Sequence, residues 1–234
     1  MKTLILCGGK GTRAYPLTVD MPKPLLEVAD RPILVHLMEI YAAQGFTDFV
    51  LAGGYKVEAL QDFAEHLGRP GWTVEVLDTG ESADTGERVV KSRDHMDDTF
   101  FLTYGDGLGN VNLQALLDFH GDHPGAMTVT TVPLPSQYGT LVPDEAGRVV
   151  EFREKPILPD HLINAGFFVV DQRAFDHWAA PSLEQNALPA LGAAGELFAF
   201  THRGFWKSMD THKDALDLTK LCDDGAPPWM APPA

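Results

Sequence analysis

The chain is poor in cysteine, with two residues, Cys7 and Cys222, in 234. They stand far apart without C-x-x-C spacing, which argues against a disulfide framework or a cysteine-built zinc site. No run of 18 apolar residues occurs, so no segment reads as a membrane-spanning helix and no membrane partner is expected. Met1-Lys2 leads into only about five apolar residues before Gly8-Gly9, fewer than a secretory signal needs, and the expected location is the cytoplasm. Positive charge is also scarce: 18 Lys+Arg face 33 Asp+Glu, a net −15. Such a surface repels a polyphosphate backbone, so nucleic acid is not an expected partner. A small anionic ligand is still allowed if its site gathers cations of its own or a metal. The few basic residues inside glycine loops are therefore the ones to follow.

What is present is globular in character, with 44% hydrophobic and 22% charged residues. One domain is expected over 1–222, with halves at 1–125 and 126–222, and a Pro-rich extended tail at 223–234. Residues 3–7 read as a buried strand running into glycines. A helix follows at 31–44, opened by Pro32 and stopped by Gly45. Strands at 47–52, 73–77 and 99–104 alternate with helices at 55–67, 85–95 and 112–120. This alternation predicts an α/β fold, a doubly wound, mainly parallel sheet. The second half is β-rich at 126–132, 139–143, 148–153 and 163–170, read as strands added to one edge. Helices are expected at 172–179, 182–194 and 211–222.

The first loop carries the chemistry. Gly8, Gly9 and Gly11 directly after a strand let backbone N–H groups approach an anion. Thr12 adds a hydroxyl and Arg13 a fixed charge, both suited to phosphate. A Walker A loop would need glycine at Leu4, so that reading fails. The dinucleotide fingerprint matches Gly9 to Ala14, but it should open a helix, and Pro16, Pro22 and Pro24 oppose one at about 3 kcal/mol each. A long ordered loop fits better. A turn with spare glycines is the plain alternative. Lys23, between two prolines, sits on a stiff extended segment and can aim a cation across a cleft, or be a solvated surface lysine. Asp106 ends a strand between Gly105 and Gly107, where α/β sheets bind ligands; it suits Mg²⁺ or caps a helix.

The motif Gly8-Gly9-Lys10-Gly11-Thr12-Arg13 with Pro22-Lys23-Pro24 resembles the signature of sugar-1-phosphate nucleotidylyltransferases. Tyr104-Gly105-Asp106-Gly107, Phe152-Arg153-Glu154-Lys155-Pro156, Asn164-Ala165-Gly166 and Phe205-Trp206-Lys207-Ser208-Met209-Asp210-Thr211 agree in order and spacing. Val76 to Gly80, Thr85-Gly86 with Arg88, and Ala226-Pro227-Pro228-Trp229 are most similar to glucose-1-phosphate cytidylyltransferases. The resemblance implies a Rossmann-like domain with a nucleotide-binding first half and a β-rich sugar-phosphate-binding second half. It implies condensation of a nucleoside triphosphate, CTP, with a sugar 1-phosphate, glucose 1-phosphate, in a homo-oligomer. Asp106 and Asp210 would hold Mg²⁺. Arg13, Lys23 and Lys155 would act on phosphates. Gly8, Gly9, Gly11, Thr12, Thr85, Gly86 and Arg88 would bind the nucleotide. Gly139, Glu154, Asn164 and Trp206 would face the sugar. Glu87 replaces a glycine usual before the arginine, and only residues 68–72 stand where such enzymes carry a long insertion. A guanylyl- or other nucleotidyltransferase acting on a mannose, heptose or cyclitol phosphate is the alternative. A catalytically silent nucleotide-sugar-binding protein, a glycosyltransferase and an NAD-linked oxidoreductase are the rivals from other classes.

Overall fold

The computed structural model describes residues 1–223 and 225–233; Asp224 and Ala234, from the expected tail, lie outside the described residues. In chain order the elements are β1 (Lys2–Leu6), β2 (Glu27–Val28), β3 (Arg31–Pro32), α1 (Ile33–Ala42), β4 (Asp48–Gly53), α2 (Val57–His66) and β5 (Thr73–Asp78). Then come α3 (Thr85–Ser92), β6 (Thr99–Tyr104), β7 (Gly107–Gly109), α4 (Leu113–Gly121), β8 (Met127–Pro135), β9 (Thr140–Pro143) and β10 (Val149–Arg153). The chain continues through β11 (Ile157–Asp171), α5 (Leu188–Ala193), β12 (Leu197–Thr201), β13 (Trp206–Ser208) and α6 (His212–Asp223).

Seven of the described strands form one sheet in the order β12-β8-β11-β6-β1-β4-β5. β1 pairs in parallel with β4 and β6, β4 with β5, and β8 with β12. β11 runs antiparallel between β6 and β8. The sheet is therefore mixed and mainly parallel, as expected. From β1 the chain winds outward to β4 and β5, then returns to β6 on the other flank of β1. That reversal opens a crevice beyond the carboxyl ends of β1 and β6, the place where open α/β sheets take ligands.

Alternate strand residues feed two cores, one on each face. Ile5, Phe101 and Phe167 pack with Leu34 and Leu37 of α1 and Leu116 of α4. Leu4, Phe100, Leu102 and Phe168 pack with Val89 of α3 and Leu191 of α5. Each such side chain contributes about 1.5–3 kcal/mol by leaving water. α3 starts at a capping box: Asp84 caps the helix and Glu87 Oε2 accepts from the Asp84 N–H at 3.0 Å. Glu87, standing where a glycine was expected, thus turns back onto the helix start.

Several expectations change. β12 was not foreseen; its short LFAFT run completes the edge by pairing with β8. Residues 172–179 form a 3₁₀ turn over Gln172–His177 rather than an α-helix. The helix expected at 182–194 divides into a π turn, Leu183–Ala187, and α5. β9 and β10 do not join the sheet edge but pair with each other as an antiparallel hairpin. The reason is that neither strand offers the core a buried face: every residue of β10 is exposed. The tail is not extended throughout. Pro228–Met230 make a 3₁₀ turn that sinks Trp229 into the first core, edge-on to His36 and beside Phe205.

Candidate active site

The loop after β1 crosses the crevice through three short 3₁₀ turns, Thr12–Ala14, Leu17–Val19 and Lys23–Leu25. No helix forms, in keeping with its prolines. Lys23 opens the last of these turns, which corrects the expectation of an extended segment there. Gly11 is left-handed at φ +58°, and a Cβ on it would stand 2.9 Å from Lys23 Cβ, so both its backbone and its lack of a side chain seat Lys23. The lysine side chain is only 10% exposed. Its Nζ donates to Asp106 Oδ2 at 2.5 Å and to Asp210 Oδ1 at 3.0 Å. Arg13 Nη2 reaches the same Asp210 oxygen at 3.0 Å, but its side chain is 74% exposed.

Asp106 and Asp210 meet although 104 residues separate them. β6 delivers Asp106, and β7, immediately after it, pairs antiparallel with β13, immediately before Asp210. The Met209 N–H donates to the Asp106 carbonyl at 2.8 Å, which locks the two turns together. Trp206 on β13 donates its indole N–H to the Ala165 carbonyl at 2.8 Å. The two carboxylates converge on one cation, and hard oxygen donors of this kind suit a divalent metal completed by phosphate oxygens and water. Among the described residues no group of three or more His, Cys, Asp or Glu side chains could hold a metal ion. Any such ion here would rest on these two.

Arg88 has a different task from the one expected. It is 3% exposed. Its guanidinium donates to the carbonyls of Gly8 (2.9 Å), Gly53 (2.9 Å) and Gly80 (3.0 Å) and to Thr79 Oγ1 (2.6 Å). It ties together the segments that leave β1, β4 and β5. Its two terminal nitrogens are committed to this clamp, so it holds the floor of the cleft. A Cβ on Gly8 would fall 2.1 Å from Arg88 Nη1; the glycine makes room for the guanidinium.

A cleft of about 560 Å³ gathers most of the expected residues: Gly8, Gly9, Gly11, Arg13, Lys23, Thr85, Arg88, Asp106, Asn164, Trp206 and Asp210 all line it. Five do not. Thr12 is exposed on its turn. Gly86 is buried in the first turn of α3, where a Cβ would stand 2.6 Å from the Pro181 carbonyl oxygen. Gly139 and Glu154 stand side by side at the base of the β9–β10 hairpin, with Lys155 next to them at φ +44°; Glu154 and Lys155 are exposed. Glu184, which also lines the cleft, went unnoticed in the sequence. Its segment, PSLEQNA, carries no motif, and only tertiary contact reveals it. Tyr104 lines the cleft as well and donates to Glu184 at 2.5 Å. Burial, then the neighbouring Glu184 charge, push the phenol pKa upward, so Tyr104 remains a protonated donor.

The model of the nucleotidyl transferase family matches residues 2–223. The chain belongs to that family. The probable glucose-1-phosphate cytidylyltransferase of Bacillus subtilis is 38% identical to this transferase, over 98% of this chain and 99% of its own. A mannose-1-phosphate guanyltransferase of Gibberella zeae is 36% identical over 94% of this chain and 64% of its own. Among solved structures, HddC from Yersinia pseudotuberculosis superposes with a TM-score of 0.74 at 21% identity, over 94% of this chain and 99% of that one. That likeness speaks for the fold of the transferase.

Proposed function

We propose that the cleft joins a nucleoside triphosphate, CTP, to a sugar 1-phosphate, glucose 1-phosphate, releasing pyrophosphate. The observation that carries this reading is the convergence of Lys23, Arg13, Asp106 and Asp210 at the topological switch point. The reaction brings two anions together, so a site for it must neutralise charge and align an attacking oxygen; no protein nucleophile is needed. A sugar-phosphate oxygen forms a bond to the α-phosphorus, the bond from that phosphorus to its β-bridging oxygen breaks, and pyrophosphate leaves with the electron pair. Lys23 and Arg13 face the triphosphate and offset the charge that grows on the leaving group. Gly8, Gly9 and Gly11 keep the floor free of side chains. Asp106 and Asp210 would hold Mg²⁺, which would supply positive charge to offset that of the phosphates. Asn164 and Trp206 form the wall that would face the sugar. Glu154 and Lys155 are assigned to the sugar and its phosphate and reach them from the hairpin.

Cytosine and glucose are supported by the identity to the Bacillus subtilis relative along nearly the whole chain. Guanine with a mannose-type phosphate is the second reading, favoured by the Gibberella zeae relative. A cytoplasmic homo-oligomer is proposed with either. No helix of the described residues is long and apolar enough to cross a membrane. The test is pyrophosphate release with Mg²⁺, using CTP, dTTP, UTP, GTP and ATP against a panel of sugar 1-phosphates. Release with CTP and glucose 1-phosphate is expected. Preference for GTP with mannose 1-phosphate selects the second reading, and nucleotide binding without release across the panel overturns both.

A further inference from the structure

Glu184 accepts from three hydroxyl groups contributed by both halves of the chain, and the Asn164 amide joins them through Tyr104. Its Oε1 accepts from Tyr104 Oη at 2.5 Å. Its Oε2 accepts from Thr85 Oγ1 at 2.7 Å and from Ser182 Oγ at 3.1 Å. Tyr104 Oη in turn receives the Asn164 Nδ2–H at 3.2 Å. Asn164 is fixed at its other end, since its Oδ1 accepts from the Gly166 N–H at 2.8 Å. Thr85 is fixed too: its Oγ1 accepts from the Leu183 N–H at 2.9 Å.

Counting donors and acceptors shows what is left for a ligand. A carboxylate offers about four lone-pair sites and no donor. Three of the four are taken, two on Oε2 and one on Oε1. The one proton of Tyr104 is spent on Glu184, and one of its lone pairs is spent on Asn164. The network therefore leaves a ligand a carboxylate lone pair and one Asn164 N–H, with no spare hydroxyl donor. Glu184 is exposed within the cleft. The mechanism leaves this carboxylate without a task, since among the described residues it pairs with no cation and it takes no part in the Lys23 cluster. A carboxylate beside a site for two anions is unfavourable unless it meets a donor of the substrate. Sugar 1-phosphates are rich in such donors. Glu184 belongs to the second half of the chain and is joined through Tyr104 to Asn164, which places it on the sugar side.

We infer that Glu184 is a specificity-determining residue that accepts a hydrogen bond from a hydroxyl of the sugar, selecting a sugar 1-phosphate with a free hydroxyl at that position. The inference rests on the sugar-1-phosphate reading of the cleft. Thr85, Ser182 and Tyr104 aim the carboxylate, and the bond is charge-assisted, worth about a tenfold to hundredfold change in affinity.

The test is a cycle between protein and substrate. Glu184→Gln keeps the size of the side chain, and Glu184→Asp keeps its charge. Initial rates are taken with CTP against glucose 1-phosphate and each of its monodeoxy analogues. In wild type, removal of one hydroxyl should lower kcat/KM roughly tenfold or more. In Glu184→Gln, glucose 1-phosphate should lose a similar factor while that one analogue loses little further, with the KM for CTP unchanged. Additive losses for every analogue would overturn the assignment, as would a loss confined to the KM for CTP. Failure of the parent reading looks different: wild type itself releases no pyrophosphate. Calorimetry then decides, with CDP-glucose and CDP as probes. Glu184→Gln should weaken CDP-glucose alone; equal affinities in variant and wild type overturn the role of Glu184.

Discussion

Two lysines, Lys23 and Lys155, carry the same charge and were both assigned to phosphate, yet the fold treats them in opposite ways. Lys23 is seated in the cleft floor, 10% exposed, between two carboxylates. Lys155 lies at the base of a two-stranded hairpin whose Phe152 is 62% exposed and whose second strand buries nothing. A hairpin of two strands is marginal by itself in water. This one is anchored where the Ser136 N–H donates to the Pro156 carbonyl at 2.9 Å. The difference is one of preorganisation. A cation fixed before substrate arrives needs no reorganisation when charge develops, whereas an exposed one is ordered by the substrate it binds. The floor should therefore govern stability and the chemical step, and the hairpin should govern sugar-phosphate binding.

This contrast can be broken at either end. The largest effect is expected where the tail supports the floor. Trp229→Ala should cost about 3–5 kcal/mol of unfolding free energy in urea, because the indole fills the core behind Phe205 and β13. A loss under about 1 kcal/mol would mean that the tail is only laid on the surface. Asp106→Asn should lower kcat/KM by about a hundredfold or more with little change in melting temperature, and near-normal turnover would remove Asp106 from the chemistry. Arg88→Ala removes the buried guanidinium that bonds the carbonyls of Gly8, Gly53 and Gly80, each of which keeps a backbone donor, and should cost about 2–3 kcal/mol. Unchanged stability with an altered base preference would return Arg88 to the nucleotide.

The hairpin should respond more quietly. Lys155→Ala should raise the KM for the sugar phosphate about tenfold and leave the KM for the nucleotide alone. A rise confined to the nucleotide would mean that the two lysines had been assigned to the wrong partners. Phe152→Ser should change stability by no more than about 0.5 kcal/mol, since its ring is largely in water already. A larger loss would show that the hairpin is covered by something in solution, and sedimentation of the variant would reveal whether that is a second copy.

Much was legible in the sequence because local rules and the site happen to coincide. The strand-to-glycine junctions at Leu6-Cys7-Gly8 and Tyr104-Gly105-Asp106 lie at carboxyl ends of central strands, so reading the parallel sheet also located the cleft. The prolines at 16, 22 and 24 ruled out a helix by local sterics alone. β12 escaped because LFAFT is short, and its pairing with β8 joins residues about seventy positions apart in the chain. The hairpin was misplaced because alternation predicts strands but not which strands find partners.

What the sequence alone determined was the strand and helix alternation, the glycine loop and the identity of the charged residues, since periodicity, backbone sterics and charge are properties of short segments. Tertiary structure decided which charges face each other. It brought Asp106 to Asp210 through the β7–β13 pairing, turned Arg88 inward onto three carbonyls, left Lys155 outside, and set Glu184 among hydroxyls from both halves. All but the shortest of those contacts span 35 to 104 positions, fixed by how the sheet buries its two faces, and no local pattern encodes them.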